Sequence, residues 1–128
     1  MRYRHAQIQN LGAEIMRFCK SDIELFQAIA EGEIQICKPV VLQVCKSINL
    51  SGDYCIGLYE DLDDYHLIKL SRAEIWTREE LFATIIHEYI HAWQSEMDLP
   101  VNHSNASRFP NWRRKIKRRY AVDIAAIN

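Results

Sequence analysis

Residues 77–97 read as a helix that is apolar on nearly every side. Thr77-Arg78-Glu79-Glu80 is a capping box, in which the threonine accepts from the third helical N–H and the glutamate returns to the cap. Leu81, Phe82, Ile85, Ile86, Tyr89, Ile90 and Trp93 then cover much of the girth, and Leu99-Pro100 ends the run. Such a helix is a central core element, because water cannot be offered any one face. Yet its middle carries His87, Glu88 and His91. Polar groups of this kind are costly to bury without partners.

The three residues form the pattern HExxH, His87-Glu88-Tyr89-Ile90-His91. Histidines four apart share one helix face, separated along the axis by about 6 Å. Both imidazoles can therefore reach one tetrahedral zinc ion, and one Zn2+ is the expected cofactor. Glu88 stands beside the first ligand, where it can act as general base on a zinc-activated water. A catalytic zinc takes three protein ligands and keeps one position open. Downstream donors are Glu96, Asp98, His103 and Asp123. Gln94 and Met97 stand where HExxHxxGxxH would need glycine and histidine, and no acid lies some twenty residues on. His103 is the strongest candidate: it matches the imidazole chemistry and follows a loop long enough to fold back over the helix. His5 and His66 read as ordinary exposed or edge residues, with lining of the cleft as the alternative for His66.

Around this helix the pattern predicts an α+β fold in a single domain, residues 1–128. Ile8, Leu11, Ile15 and Phe18 form the stripe of an amphipathic helix over residues 7–20. Ser21-Asp22-Ile23-Glu24 is a second capping box, starting a helix with Ile23, Phe26 and Ile29 inward. Pro39 breaks that reading. Residues 40–45, 54–60 and 66–70 are strand candidates, with Gly57 a possible bulge and residues 51–53 and 61–64 as turns. Short connections favour a small, mostly antiparallel three-stranded sheet. A basic helix closes the chain over residues 112–127, with Pro110 near its start.

Composition sets the outer bounds. The chain has 128 residues, 48% of them hydrophobic and 26% charged, as in an ordinary globular domain. Its apolar runs are far short of the roughly 20 residues a membrane span needs. No apolar leader follows the basic N-terminus, so the expected location is cytoplasmic, with no membrane partner. Cys19, Cys37, Cys45 and Cys55 contain no CxxC pair and read as free thiols, not as a zinc ribbon.

The helix, the strands before it and the segment after it resemble the SprT-like family, the zinc metalloprotease domain of Spartan and SprT proteins. His87-Glu88-Tyr89-Ile90-His91-Ala92 is close to that family's HExxHA form. Leu67-Ile68-Lys69-Leu70-Ser71 is similar to its strand before the catalytic helix, and His103 followed by Phe109 and Trp112 is similar to its third-ligand segment. Ser104 replaces the glycine that commonly follows the third histidine, and the gap from His103 to Phe109 is longer than usual. The zinc ribbon of some members has no counterpart here, so the expected unit is a minimal catalytic core. The resemblance implies Glu88 as catalytic residue, His87, His91 and His103 as ligands, and zinc-dependent hydrolysis of peptide bonds in a protein or peptide. In Spartan-like proteins those substrates are attached to DNA. A peptidase without a DNA role, or a non-catalytic nucleic-acid-binding module with a structural zinc, are the alternatives.

The formal charge of −1 conceals a division. Residues 1–107 hold nine Lys and Arg against sixteen Asp and Glu, whereas residues 108–128 hold seven against one. Arg113, Arg114, Lys115, Lys117, Arg118 and Arg119 could contact DNA phosphates without sequence selectivity, or could simply be a solvated face.

Overall fold

The computed structural model describes residues 15–16, 20–50, 53–72 and 76–124. In chain order the elements are β1 (Ile15–Met16), α1 (Lys20–Glu33), β2 (Val40–Cys45), β3 (Ile48–Leu50), β4 (Asp53–Cys55) and β5 (Gly57–Asp61). They continue with β6 (His66–Ser71), β7 (Trp76–Thr77), α2 (Arg78–Glu96), a 3-10 turn (Asn105–Ser107) and α3 (Phe109–Tyr120). The fold is α+β, as the patterning predicts.

α2 is the axis of the molecule. Its capping box is complete: the Glu80 N–H donates to Thr77 Oγ1 at 3.0 Å, and the Thr77 N–H donates to Glu80 Oε1 at 3.3 Å. Every residue from Leu81 to Ala92 is buried. Phe82 joins three helices, meeting Phe26 of α1 and Tyr120 of α3 edge-on with ring centroids 5.4 Å apart in each case. Such aromatic pairs add to the apolar burial that holds α1 and α3 on α2. At the far end the Leu99 N–H donates to Gln94 O at 2.9 Å and the Asp98 N–H to Ser95 O at 3.3 Å, with Asp98 at φ 56°. This is a Schellman motif with aspartate in place of the usual glycine.

The sheet order is β2-β6-β5. β5 and β6 pair antiparallel across the tight turn at residues 62–65, but β2 pairs with β6 in parallel, from Val40↔His66 to Cys45↔Ser71. The sheet is therefore mixed, and the mostly antiparallel expectation is corrected. The cause is the connection: residues 46–65 separate β2 from β6, more than the roughly dozen a parallel crossover requires. That connection contains the antiparallel β3–β4 pair. The strand expected over residues 54–60 is thereby split at Ile56, with β4 turned toward β3 and β5 toward β6.

Other boundaries also move. The helix expected over residues 7–20 falls largely outside the described residues; within them, Ile15–Met16 are strand, paired with Trp76–Thr77. α1 already includes Lys20, so Ser21 is inside it. α3 begins at Phe109, with Pro110 in its first turn, and stops at Tyr120, short of residue 127. It stops because Ala121 turns left-handed at φ 58°, its N–H bonded to Lys117 O at 2.8 Å. That turn directs Val122 and Ile124 back into the core, where they are 3% and 0% exposed.

A polar latch fastens the end of α2. Glu96 accepts from the Cys37 N–H at 2.7 Å, from the Lys38 N–H at 2.9 Å and from His66 Nε2 at 2.7 Å. Lys38 Nζ reaches Asp61 at 2.6 Å, and Ser95 Oγ donates to the same carboxylate at 2.6 Å. Burial pushes the Glu96 carboxyl up, but the Cys37 amide, His66 and the Lys38 amide outweigh it and hold the group below its ordinary value of 4.5.

Two outcomes follow for stability. Ala121→Gly should raise it by about 1 kcal/mol in denaturant titrations, since a left-handed alanine is strained by about that amount. A group with a depressed carboxyl pKa stabilises the fold above its unfolded value and loses that contribution as pH falls through the folded one. The stability gap between wild type and Glu96→Gln, measured in urea with chelator present, should therefore be widest near pH 7 and shrink below pH 4.5.

Candidate metal centre

α2 places His87 and His91 one turn apart on one face, 2% and 8% exposed. The loop after the Schellman turn brings His103 over them. The three rings lie 4.8 to 5.2 Å apart between centroids, and one nitrogen from each falls within 4.8 Å of the others. His103 Nε2 and His87 Nε2 are 3.0 Å apart. Two nitrogens on one tetrahedral zinc are separated by about 3.3 Å, given bonds near 2.0–2.1 Å.

The far side of each helix histidine is fixed by the protein. His87 Nδ1 lies 3.3 Å from Ile124 O. A carbonyl only accepts, so Nδ1 carries the proton and Nε2 keeps its lone pair. His91 Nδ1 lies 2.8 Å from Gln94 Oε1. The Gln94 amide nitrogen donates to Asn102 O at 2.9 Å and to Ser107 O at 3.2 Å, which sets the amide's orientation and makes His91 Nδ1 a donor too. Gln94, fully buried, thus ties His91 to the loop that carries His103. Phe109 packs on all three imidazoles, with centroids 4.6 to 5.7 Å away.

Burial disfavours the charged form of both α2 imidazoles. Burial, and then the neighbouring His91, push His87 down to about 3. Burial also lowers His91. Neutral imidazoles with oriented second nitrogens are the form that binds a transition metal.

Glu88 is 4% exposed, and among the described residues nothing donates a hydrogen bond to it or pairs with its charge. Burial alone raises its carboxyl to about 8. Thr84, one turn earlier, also has a buried hydroxyl with no partner among the described residues. β5 runs against this stretch of α2, and it does so at a glycine. A Cβ on Gly57 would come within 2.6 Å of Thr84 Cγ2 and 3.4 Å of Glu88 Oε2. Gly57 is accordingly a close-approach residue and not the bulge its sequence position suggests.

Of the donors downstream of His91, only His103 joins the cluster. Glu96 belongs to the latch, Asp98 turns at the helix end, and Asp123 pairs with Arg113 at 2.8 Å. His66, expected at an exposed edge, is instead fully buried between Tyr59 and Glu96. The strand alternation carried that signal: His66 shares its parity with Ile68 and Leu70, the inward residues of β6. Phe109 was marked only as an aromatic following His103, and Gln94, Tyr59 and the Ile124 carbonyl had no comparable motif.

The basic helix offers fewer free charges than its composition suggests. Arg113 pairs with Asp123, Arg119 pairs with Glu33 at 3.0 Å, and Arg114 bonds Asn111 at 2.7 Å. Lys115 lies over the Trp112 ring at 4.9 Å. Lys117 and Arg118 are exposed, with no ion pair among the described residues.

Two buried imidazoles with their outer nitrogens fixed, an exposed third brought over them, and a buried carboxyl group with no partner among the described residues fit a zinc ion. Among the described residues no fourth His, Cys, Asp or Glu belongs to the cluster. No family model, curated protein or solved structure matches the chain.

Gly57→Ala should destabilise the fold by about 1–3 kcal/mol, the usual cost of overpacking a core. Thr84→Ser, which deletes Cγ2, should recover most of that loss. Denaturation of both variants checks this; no recovery would place the clash elsewhere.

Proposed function

We propose that this chain is a zinc-dependent peptidase. The observation that carries the reading is the convergence of His87, His91 and His103 with Glu88 buried beside them and, among the described residues, free of partners. The three-donor set favours a catalytic site over a structural one, which normally closes with four protein ligands. Zinc, when bound, would supply Lewis-acid polarisation of the scissile carbonyl and acidification of water.

The remaining work falls to the chain's own residues. Glu88 takes a proton at its carboxylate and passes it to the leaving amine; it needs no rearrangement, because no other group holds it. Phe109 and the buried surroundings of α2 keep bulk water from the His87 and His91 imidazoles. The outer edge of β5 has no strand partner among the described residues, and β5 lies along the same stretch of α2. An extended polypeptide can add to such an edge through its main chain. Substrates attached to DNA fit the exposed Arg108, Lys117 and Arg118, which follow the His103 loop.

Zinc content and protein hydrolysis separate the parts of this reading. Glu88→Gln should bind zinc as wild type does and lose hydrolysis by about 100-fold or more. His103→Ala should lose zinc. Retained hydrolysis in Glu88→Gln removes the mechanism, and unchanged zinc affinity in His103→Ala removes that ligand.

A further inference from the structure

One buried polar chain plays no part in the reaction described above: Glu96, His66 and Tyr59. Tyr59 lies on β5 two residues beyond Gly57, on the same inward face, opposite Ile68 in the register. Its ring meets the His91 imidazole, with centroids 6.5 Å apart and planes inclined by 43°. Its hydroxyl lies 2.7 Å from His66 Nδ1, and His66 Nε2 lies 2.7 Å from Glu96 Oε2.

We propose that Tyr59 is a positioning residue for the ligand His91, itself held in place by His66 and Glu96. The proposal rests on the reading of the histidine cluster as a metal site. Directions of donation follow from the partners. A carboxylate accepts, so His66 Nε2 carries a proton and, in the neutral imidazole, Nδ1 is the acceptor. The Tyr59 O–H therefore donates inward to Nδ1, and its proton is committed away from the cluster. That separates Tyr59 from a substrate-activating group and makes it a wall with a locked rotamer.

A packing role alone does not account for this arrangement. The inward face of β6 is otherwise Ile68 and Leu70, both fully buried, and an apolar side chain at position 66 would continue it. A fully buried histidine with both nitrogens used costs desolvation that only its two hydrogen bonds offset. What those bonds secure is the Tyr59 ring on one hand and Glu96 on the other. Glu96 in turn holds the amides of residues 37 and 38 and sits five residues past His91 on α2. The ligand is thus braced from β5, β6 and α2 together, with Gln94 fixing its nitrogen and Phe109 packed on its ring.

The test uses zinc affinity, measured by competition with a chromophoric chelator, and the visible spectrum of the Co2+-loaded protein. Tyr59→Leu should weaken zinc binding by about tenfold or more, in the range seen when groups behind metal ligands are removed, and shift the cobalt bands. Tyr59→Phe restores the ring but not the bond to His66, so it should fall between wild type and Tyr59→Leu. Leu58→Ala, on the opposite face of β5, should lower thermal stability with affinity and spectrum unchanged. Wild-type affinity and spectrum in both Tyr59 variants would overturn the proposal, as would an equal loss in Leu58→Ala. Should Tyr59→Leu not fold, Tyr59→Phe decides: shifted cobalt bands support the proposal and unchanged ones overturn it. A wild-type chain that binds no metal would instead remove the site itself, and the proposal with it.

Discussion

Everything in this structure is arranged around polar groups placed inside a helix that is otherwise buried. Moving two imidazoles and a carboxyl group out of water is unfavourable unless something replaces the lost solvation. The fold replaces part of it. The carbonyl of Ile124 and the amide of Gln94 satisfy one nitrogen of each helix histidine. It leaves Glu88 without such compensation among the described residues, and burial shifts both groups toward their neutral forms, His87 downward and Glu88 upward. A metal ion, as the proposed function requires, would answer both deficits: it would accept nitrogen lone pairs and would supply a polarised water beside the Glu88 carboxylate.

The chain builds this centre by turning back three times. Asp98, Arg108 and Ala121 are the non-glycine residues with positive φ among the described residues. Each ends or begins a helix, and each aims the next segment at the histidine face of α2. Beyond Asp98 comes His103, beyond Arg108 comes Phe109, and beyond Ala121 comes Ile124. Three mildly strained turns are the local cost of bringing a third imidazole, an aromatic cover and a carbonyl to one place. On the other side β5 closes the cluster, and it can approach only because residue 57 has no Cβ.

Much of this was legible before folding. α2, its cap, and the HExxH pattern follow from spacing alone, since helical periodicity forces His87 and His91 onto one face. β2 and β6 are short β-branched and alternating runs, and the structure keeps them at nearly the same residues. The parity of His66 with Ile68 and Leu70 was equally available, and it contradicts an exposed placement. What could not be read locally was pairing. A strand's partner and direction depend on how a connection crosses space, so the parallel β2–β6 pair and the splitting of residues 54–60 emerge only with the whole sheet.

The basic C-terminal segment shows the same division in its charges. Composition marks it as strongly positive, but the fold brings Asp123 to Arg113 and Glu33 of α1 to Arg119. By itself the sequence determined the capped apolar helix, the two histidines and glutamate on it, and His103 as their strongest companion. These depend on local geometry and residue chemistry. Tertiary structure decided which nitrogen of each helix histidine faces inward, which charges remain exposed, and that Tyr59, His66, Gln94 and Glu96 stand behind the site. Those outcomes depend on contacts between segments far apart in the chain, which no local spacing encodes.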